Sequence, residues 1–474
     1  MKTLLINPYV PLEVVYGPKY AQIGAVMPPL GILYIASHLK KGGKHEVAVL
    51  DANVLGLSPE ETAARAEGFA CAGISATTLG YPYAVETARR LKARFPSIKL
   101  LFGGPHAQAA HEEVLRENPG LFDFVCYAEG EYAVEQALEH FEGRLPKDAV
   151  LSMCYSGNGA MVKNPPAEIP EDLDVFGHPA EVVQAEYVPL YHEKILAFKR
   201  LPMFSIFSSR GCPFCCTFCS TPNKFAKMYG GKLRRHSPAW IGEEMELLSR
   251  RLGVREVAFM DDTFNLSKQR VLDLGAEIAR RGIDMAWTCN FKAHICDDEM
   301  LLVMKRAGCW GIMVGAESGS DRVLKFIKKG VTSSQLYDLS VAADRAGIFA
   351  RASFILGLPS DTPESIEETL AFAKKARFHF PYFQLYIPLP GTEMFGQLEQ
   401  YGRIIVKDPK QRSASRVNYL PAGMDADYLQ GKFDRCHKDT FLHPAMVLRH
   451  LKFIRSIDDV KRYWTGLGMM MSGS

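Results

Sequence analysis

The sequence predicts an α/β protein: a Rossmann-like doubly wound parallel sheet, then a partial (β/α)6 barrel of the TIM type, then a mostly helical C-terminal tail. Two stretches, 1–145 and 201–400, carry the prediction, because short apolar runs alternate there with helical patterns. A third observation separates them: the rhythm is lost over 146–200 and again from 401 to 474.

In the first stretch Thr3–Ile6, Glu46–Leu50, Ala72–Ser75, Lys99–Phe102 and Phe124–Tyr127 read as short buried strands. Helical patterns fall between them at Leu30–Lys41, Pro59–Gly68 and Tyr83–Arg94, the second opening on the capping box Ser58-Pro59-Glu60-Glu61. Prolines at Asn164-Pro165-Pro166, Ile169-Pro170 and His178-Pro179 then mark a polar connector. Strands resume at Met203–Ser208, Glu256–Met260, Met285–Cys289, Gly311–Gly315, Ala352–Leu356 and Tyr382–Ile387. Helices at Pro238–Leu252, Ser267–Arg281, Asp297–Ala307, Ser333–Ala346 and Pro363–Arg377 separate them, which suits an open parallel barrel. The tail ends in a basic helical pattern, Ala445–Trp464.

Composition sets the broad class. Of 474 residues 47% are hydrophobic and 23% charged, as in an ordinary globular protein. A net charge of +3 over this length gives no dense basic stripe, so a nucleic-acid partner is not expected. The opening Met1–Pro8 is too short an apolar run for a signal peptide, and no run is long enough to span a bilayer; a cytoplasmic protein is expected.

Eleven cysteines in such a chain read as thiols or metal ligands rather than disulfides. Cys71, Cys126, Cys154, Cys289, Cys296, Cys309 and Cys436 are scattered singly and read as small buried hydrophobes. The other four crowd into Cys212-Pro213-Phe214-Cys215-Cys216-Thr217-Phe218-Cys219, directly after the first barrel strand. Cys212, Cys216 and Cys219 give the spacing C-x3-C-x2-C. Thiolates suit iron–sulfur clusters, and three ligands on a four-iron cube leave one iron open to a ligand. Zinc would want a fourth nearby Cys or His, and His236 stands alone. A redox pair from the adjacent Cys215 and Cys216 would close a strained ring.

This loop, with Phe218 just before its last cysteine, resembles the signature of the radical S-adenosylmethionine superfamily. The resemblance implies a four-iron four-sulfur cluster on Cys212, Cys216 and Cys219, with S-adenosylmethionine on the open iron and a 5′-deoxyadenosyl radical as the product of its reductive cleavage. It also implies a low-potential electron donor such as flavodoxin or ferredoxin. Polar groups recur at the ends of the later barrel strands, where barrel chemistry sits: Asp261-Asp262, Asn290, Glu317-Ser318, Gly357 and Pro388-Leu389-Pro390-Gly391-Thr392. By resemblance, Glu317 and Ser318 contact the ribose and methionine end, Gly357 lets the backbone approach the adenine, and Asp261 and Asp262 help place the methionine moiety. Many members carry Gly-Gly-Glu at the last of these positions, so this chain departs from the pattern there.

The first sheet lacks G-x-G-x-x-G after its first strand, where Asn7-Pro8 stands instead. Met27–Ala36, with Pro28-Pro29-Leu30-Gly31, looks like the cobalamin-binding domain that precedes many radical S-adenosylmethionine domains. Ser75, Thr77, Gly103, Gly104 and Glu129 stand at successive strand ends, where small residues would let a corrin and its nucleotide tail lie close to the backbone. An empty flavodoxin-like sheet would show similar turns. The Asp-x-His-x-x-Gly loop of cobalamin mutases is missing; His106 and His111 are near in sequence only.

For the cobalamin-binding group the resemblance implies methylation of an unactivated carbon or phosphorus centre of a small molecule. One S-adenosylmethionine supplies the methyl group by way of cobalamin and a second supplies the radical. Two alternatives stand beside it: an oxidative ring closure of the anaerobic magnesium-porphyrin ester cyclase type, and an iron–sulfur electron carrier without substrate. In the tail Arg449, His450, Lys452 and Arg455 alternate with Val447, Leu448, Leu451 and Ile454, a pattern suited to capping the barrel or to weak contact with a membrane surface.

Overall fold

Seven strands form the sheet of the first unit: β1 (Lys2–Asn7), β2 (Glu46–Asp51), β3 (Cys71–Ser75), β4 (Lys99–Gly103), β5 (Phe124–Cys126), β6 (Met153–Gly157) and β7 (Ala160–Lys163). They are ordered β2-β1-β3-β4-β5-β6-β7 in this computed structural model. It describes residues 1–17, 21, 24–157, 160–192, 198–221, 231–408, 411–451 and 460. The first five strands are parallel, and the order reverses between β1 and β3, the switch point at which doubly wound sheets open a crevice. The core includes Leu101, Phe124, Ala133, Val134 and Leu138, with Cys71 and Cys126 as small apolar fillers.

The connector expected over 146–200 is a correction. Its beginning folds as β6 and β7, antiparallel additions to the edge of the first sheet, and the first unit runs to His192. The prolines that hid this flank the hairpin: Pro165 accepts from Ser152 N, and Asn164 donates to the carbonyls of Lys147 and Val150. Pro59–Gly68 is shorter than expected, ending at Ala64, although the capping box between Ser58 and Glu61 forms as read.

The second unit holds six parallel strands: β8 (Met203–Ile206), β11 (Glu256–Phe259), β12 (Ala286–Phe291), β13 (Cys309–Glu317), β14 (Phe349–Leu356) and β15 (Phe380–Leu385). Two short strands, β9 (Ser209–Arg210) and β10 (Arg234–Arg235), pair antiparallel between β8 and β11 in sequence. The order β15-β14-β13-β12-β11-β8 follows the chain from edge to edge, an open sheet rather than a closed barrel. One face of its central strands is buried throughout (Cys289, Phe291, Val314, Ala352, Phe354), while the alternate residues Thr288, Asn290, Met313, Gly315, Ser353 and Gln384 retain exposure. Period-two alternation thus marks an accessible inner face.

A further ribbon, β16 (Gly402–Ile404) with β17 (Tyr419–Pro421), precedes helices Ala426–Phe441 and Pro444–Leu451. Phe441 and Met446 from these helices pack with Phe349, Phe380 and Trp310 at the N-terminal ends of the strands. Arg449 donates to the carbonyls of Ala376 and Phe378, capping the end of helix Pro363–Lys375. Val447 and Leu448 are exposed, and Lys452, Ile454 and Arg455 lie outside the described residues. No helix among the described residues is long and apolar enough to cross a membrane.

Candidate functional site

Gly211 turns the chain out of β9 with a φ of 103°, a conformation that favours glycine, and starts the cysteine loop. Cys212 and Cys219 are half-buried, Cys216 is buried and Cys215 is exposed. The loop is fixed through the backbone of Thr217, whose N–H donates to Ile327 O at 3.1 Å and whose carbonyl accepts from Met394 N at 2.9 Å. Cys219 N donates to Cys216 O at 3.1 Å, a turn that brings the last two thiols round. Cys212 Sγ lies 3.7 Å from Thr263 Oγ1. Burial pushes the Cys216 and Cys219 thiols up; Lys329 and Lys292 oppose it at Cys216, and Thr221 at Cys219.

Several side chains outside the sequence reading surround the loop. The Phe214 ring lies beneath Lys292 Nζ, 3.6 Å from its centroid, and packs edge-on to His294 at 5.3 Å. Lys292 Nζ donates to Lys329 O at 2.6 Å. Lys329 Nζ pairs with Glu317 Oε1, also at 2.6 Å, both side chains being about nine-tenths buried. Burial works against the Lys329 charge, but Glu317 and the thiols more than restore it, holding this ammonium above its ordinary value. No signal in the sequence joined Glu317 to Lys329, because helix Asp321–Phe326 lies between them.

Glu317 ends β13 beyond a bulge and has a φ of 63°, rare for a residue with a side chain. A Cβ on Gly315 would stand 2.4 Å from Glu317 Oε1 and 2.8 Å from Lys329 Nζ, so Gly315 makes room for the pair. Ser318 is buried, its hydroxyl bonded to Thr369 Oγ1 at 3.0 Å and to Ser320 N at 3.1 Å.

Asp261 is fully buried and accepts from Ser208 N, Ser208 Oγ and Ser209 Oγ at 2.5–2.6 Å. Its carboxylate therefore ties the end of β11 to the start of the cysteine loop. Asn290 donates to Asp261 O at 2.8 Å. Asp262 is exposed and accepts from Thr221 Oγ1 at 3.3 Å. Gly357 has a φ of 81°, and the space a Cβ would need is taken by Leu429 at 2.8 Å, so this glycine already serves helix Ala426–Phe441. Its N–H and that of Leu358 donate to Asp361, whose buried carboxyl is pushed up to about 6 by desolvation.

These residues fit an iron–sulfur cluster. Among the described residues no three His, Cys, Asp or Glu side chains close on a single ion; thiolates on a cube would each hold a different iron. Thr217 Oγ1, between two of the cysteines, is buried with no hydrogen-bond partner among the described residues, leaving a donor for an acceptor that those residues do not supply. Two ammonium groups stand beside the thiols.

In the first unit Ser75, Gly103 and Glu129 are half-buried at the ends of β3, β4 and β5, on the switch-point side of the sheet. A Cβ on Gly103 would make only ordinary contact, 3.6 Å from Cys126 Cβ. Gly104, with a φ of 90°, is crowded by its own chain: a Cβ would lie 2.5 Å from Ser75 Oγ and 2.9 Å from Ala76 N. Thr77 Oγ1 accepts from Gly80 N at 3.3 Å. His106 is buried, stacked on Tyr81 at 4.1 Å and 3.3 Å from Thr78 Oγ1; His111 Nε2 lies 3.1 Å from Lys163 Nζ. Ser75, Gly103 and Glu129 keep partial exposure at these strand ends, which suits a flat cofactor lying on the backbone, while His106 packs against Tyr81 and His111 faces Lys163.

Fold and site together define a two-unit α/β enzyme with a cysteine loop at the C-terminal end of its first barrel strand. Residues 206–373 match the radical SAM superfamily and residues 20–138 the B12 binding domain. An uncharacterized methyltransferase of Pyrococcus horikoshii is 32% identical over 397 residues, covering 83% of this chain and 82% of its own. The anaerobic magnesium-protoporphyrin IX monomethyl ester cyclase of Rubrivivax gelatinosus is 27% identical over 94% of this chain and 78% of its own. Among solved structures, the cobalamin-dependent S-adenosylmethionine radical enzyme OxsB with aqua-cobalamin bound superposes with a TM-score of 0.75 at 16% identity, over 100% of this chain and 72% of that one. In the form that also holds S-adenosylmethionine, the match spans 55% of that chain and 84% of this one, with a TM-score of 0.67 at 18% identity. The methyltransferase TsrM of Kitasatospora setae superposes at 0.68 with 19% identity, over 92% of this chain and 84% of its own.

The chain belongs to the cobalamin-binding radical S-adenosylmethionine superfamily. It is a radical S-adenosylmethionine enzyme, and its cofactors are a four-iron four-sulfur cluster, S-adenosylmethionine and cobalamin.

Proposed function

We propose that the protein transfers a methyl group to an unactivated carbon or phosphorus centre of a small molecule. The observation that carries this reading is the three-cysteine loop at the mouth of an open barrel in a chain that also carries a B12-binding domain. The methyltransferase relative that spans most of both chains supports it. When bound, the cluster and S-adenosylmethionine supply the 5′-deoxyadenosyl radical and cobalamin supplies the methyl group.

In this reading Cys212, Cys216 and Cys219 hold the cluster, while Cys215, exposed, does not. Asp261 holds the loop's first turn against β11 through Ser208 and Ser209. Glu317, fixed by Lys329, is the side chain best placed to accept from a ligand hydroxyl, with Asn290, Asp262, Ser318 and Gly357 around the same strand ends. Ser75, Thr77, Gly103, Gly104 and Glu129 form the corresponding row for cobalamin. A low-potential donor such as flavodoxin or ferredoxin and a cytoplasmic setting complete the reading. Eleven free cysteines suit a reducing compartment. Exposed Val447 and Leu448 are the support for weak contact with a membrane surface.

Oxidative ring closure is the second reading, favoured by the cyclase relative that spans nearly the whole chain. One experiment separates the two. Protein purified with hydroxocobalamin is incubated anaerobically with S-adenosylmethionine, a reductant and a metabolite extract, and products are followed by mass spectrometry. A gain of one methylene unit that requires cobalamin is the expected result. Loss of hydrogen without that gain would favour cyclisation. If the protein retains no corrin and its activity needs none, the methyltransferase reading fails.

A further inference from the structure

Lys292 directly follows β12 and is buried. Its ammonium meets a carbonyl, Lys329 O, and a ring face, Phe214; among the described residues it makes no ion pair with a carboxylate. Lys329, its neighbour, has Glu317 opposite it. An ammonium withdrawn from water is costly unless an anion faces it, and a carbonyl with a π-face compensates only part of that cost. The charges that reach Lys292 most strongly are Lys329, which repels it, then the thiols of Cys216 and Cys212, and Glu317. Glu317 is already engaged by Lys329. The thiols remain, and Phe214, the ring beneath Lys292, sits inside the cysteine loop between Cys212 and Cys216.

We propose that Lys292 is the counter-charge of the cluster carried by this loop: a positioning residue that stabilises the reduced, more negative form and clamps the loop through Phe214. The inference rests on the reading of Cys212, Cys216 and Cys219 as the ligands. The step concerned is the entry of one electron from a low-potential reductant into the cluster, which adds one negative charge and breaks no bond. An ammonium in place before the electron arrives favours that charge without reorganisation.

The full chain is reconstituted anaerobically as wild type, Lys292→Met and Lys292→Arg. Iron and sulfide are assayed, and reduction by dithionite is followed by electron paramagnetic resonance. Methionine keeps the length and removes the charge; arginine keeps the charge. All three should load fully. At a fixed reducing poise the ratio of reduced to oxidised cluster should fall about tenfold in Lys292→Met, as the loss of a nearby charge at an effective dielectric of about 20 implies. Lys292→Arg should recover most of it. A fully loaded Lys292→Met protein that titrates like the wild type overturns the proposal. So does an equal loss of iron in both variants, which would make the residue a packing element only. Wild-type protein that takes up no iron, or iron retained without the three cysteines, overturns the ligand reading itself and the inference with it.

Discussion

The strand ends of the barrel present side chains, and those of the first sheet present backbone. At the barrel mouth thiols, a glutamate and two lysines converge, held by buried groups such as Asp261 and Ser318 that are already fully engaged. At the first sheet the positions that end β3 and β4 are the small residues Ser75, Ala76, Gly103 and Gly104, packed on one another through Gly104 and Ser75, with Thr77 and Glu129 beside them. The difference teaches which substitutions report on binding. In the barrel, removing a side chain can remove a ligand contact; in the first sheet, adding one disturbs the strand ends first.

The largest effect expected is at the cysteines. Replacing Cys212, Cys216 and Cys219 together with alanine should abolish the iron–sulfur absorbance of reconstituted protein, whereas Cys215→Ala should keep it. Equal loss with Cys215→Ala would show that exposure in the loop does not distinguish ligand from bystander.

Gly104→Val comes next. Both its φ and the contact with Ser75 oppose any side chain, so the first unit should lose about 2–4 kcal/mol of stability, measured by chemical denaturation. Corrin retention should fall with it, not before it.

Asp261→Asn should cost about 2 kcal/mol, because a buried acceptor of three hydrogen bonds becomes in part a donor facing donors. Its Ser208 contacts make cluster loading fall as well. An unchanged denaturation midpoint would mean that the loop does not depend on this anchor.

Glu317→Gln should lower stability, because Lys329 loses its buried counter-charge, and should weaken S-adenosylmethionine binding by ~1–3 kcal/mol through loss of a charge-assisted hydrogen bond. Calorimetry on the loaded protein decides it, and unchanged affinity would reduce Glu317 to a partner of Lys329. Gly103→Ala is the mildest change and the sharpest contrast with Gly104. It should alter stability by less than ~0.5 kcal/mol while lowering corrin retention; full retention would show that nothing flat lies against that backbone.

Much of this was legible in the sequence, for reasons that are local. The cysteine spacing lies within eight residues, and each later strand end follows its own apolar run, so order along the chain gave order across the sheet. What the sequence hid was pairing at a distance. Lys292 meets the cysteine loop from the end of β12 and Lys329 from the turn after helix Asp321–Phe326, and neither sits in a pattern with a period. Gly357 reads in the sequence as a place where a ligand can approach the backbone; that Leu429, far along the chain, also requires its missing side chain could not be read there. Strands β6 and β7 were missed because an edge hairpin exposed on one side has too little apolar alternation to stand out among prolines.

The aromatic plug at the barrel base has a kinetic meaning. Phe349, Phe380, Trp310, Phe441 and Met446 fill the N-terminal ends of the strands, while the inner face beyond them stays accessible. Passage beyond the N-terminal ends of β13, β14 and β15 is therefore blocked, while the C-terminal ends, where the cysteine loop lies, are a route to the inner face. For ligands that enter by the C-terminal mouth, whatever binds deepest must arrive before whatever binds nearest the mouth, and must leave after it. Steady-state kinetics should then show a compulsory order, with the last product to leave acting as a competitive inhibitor of the first reactant to enter.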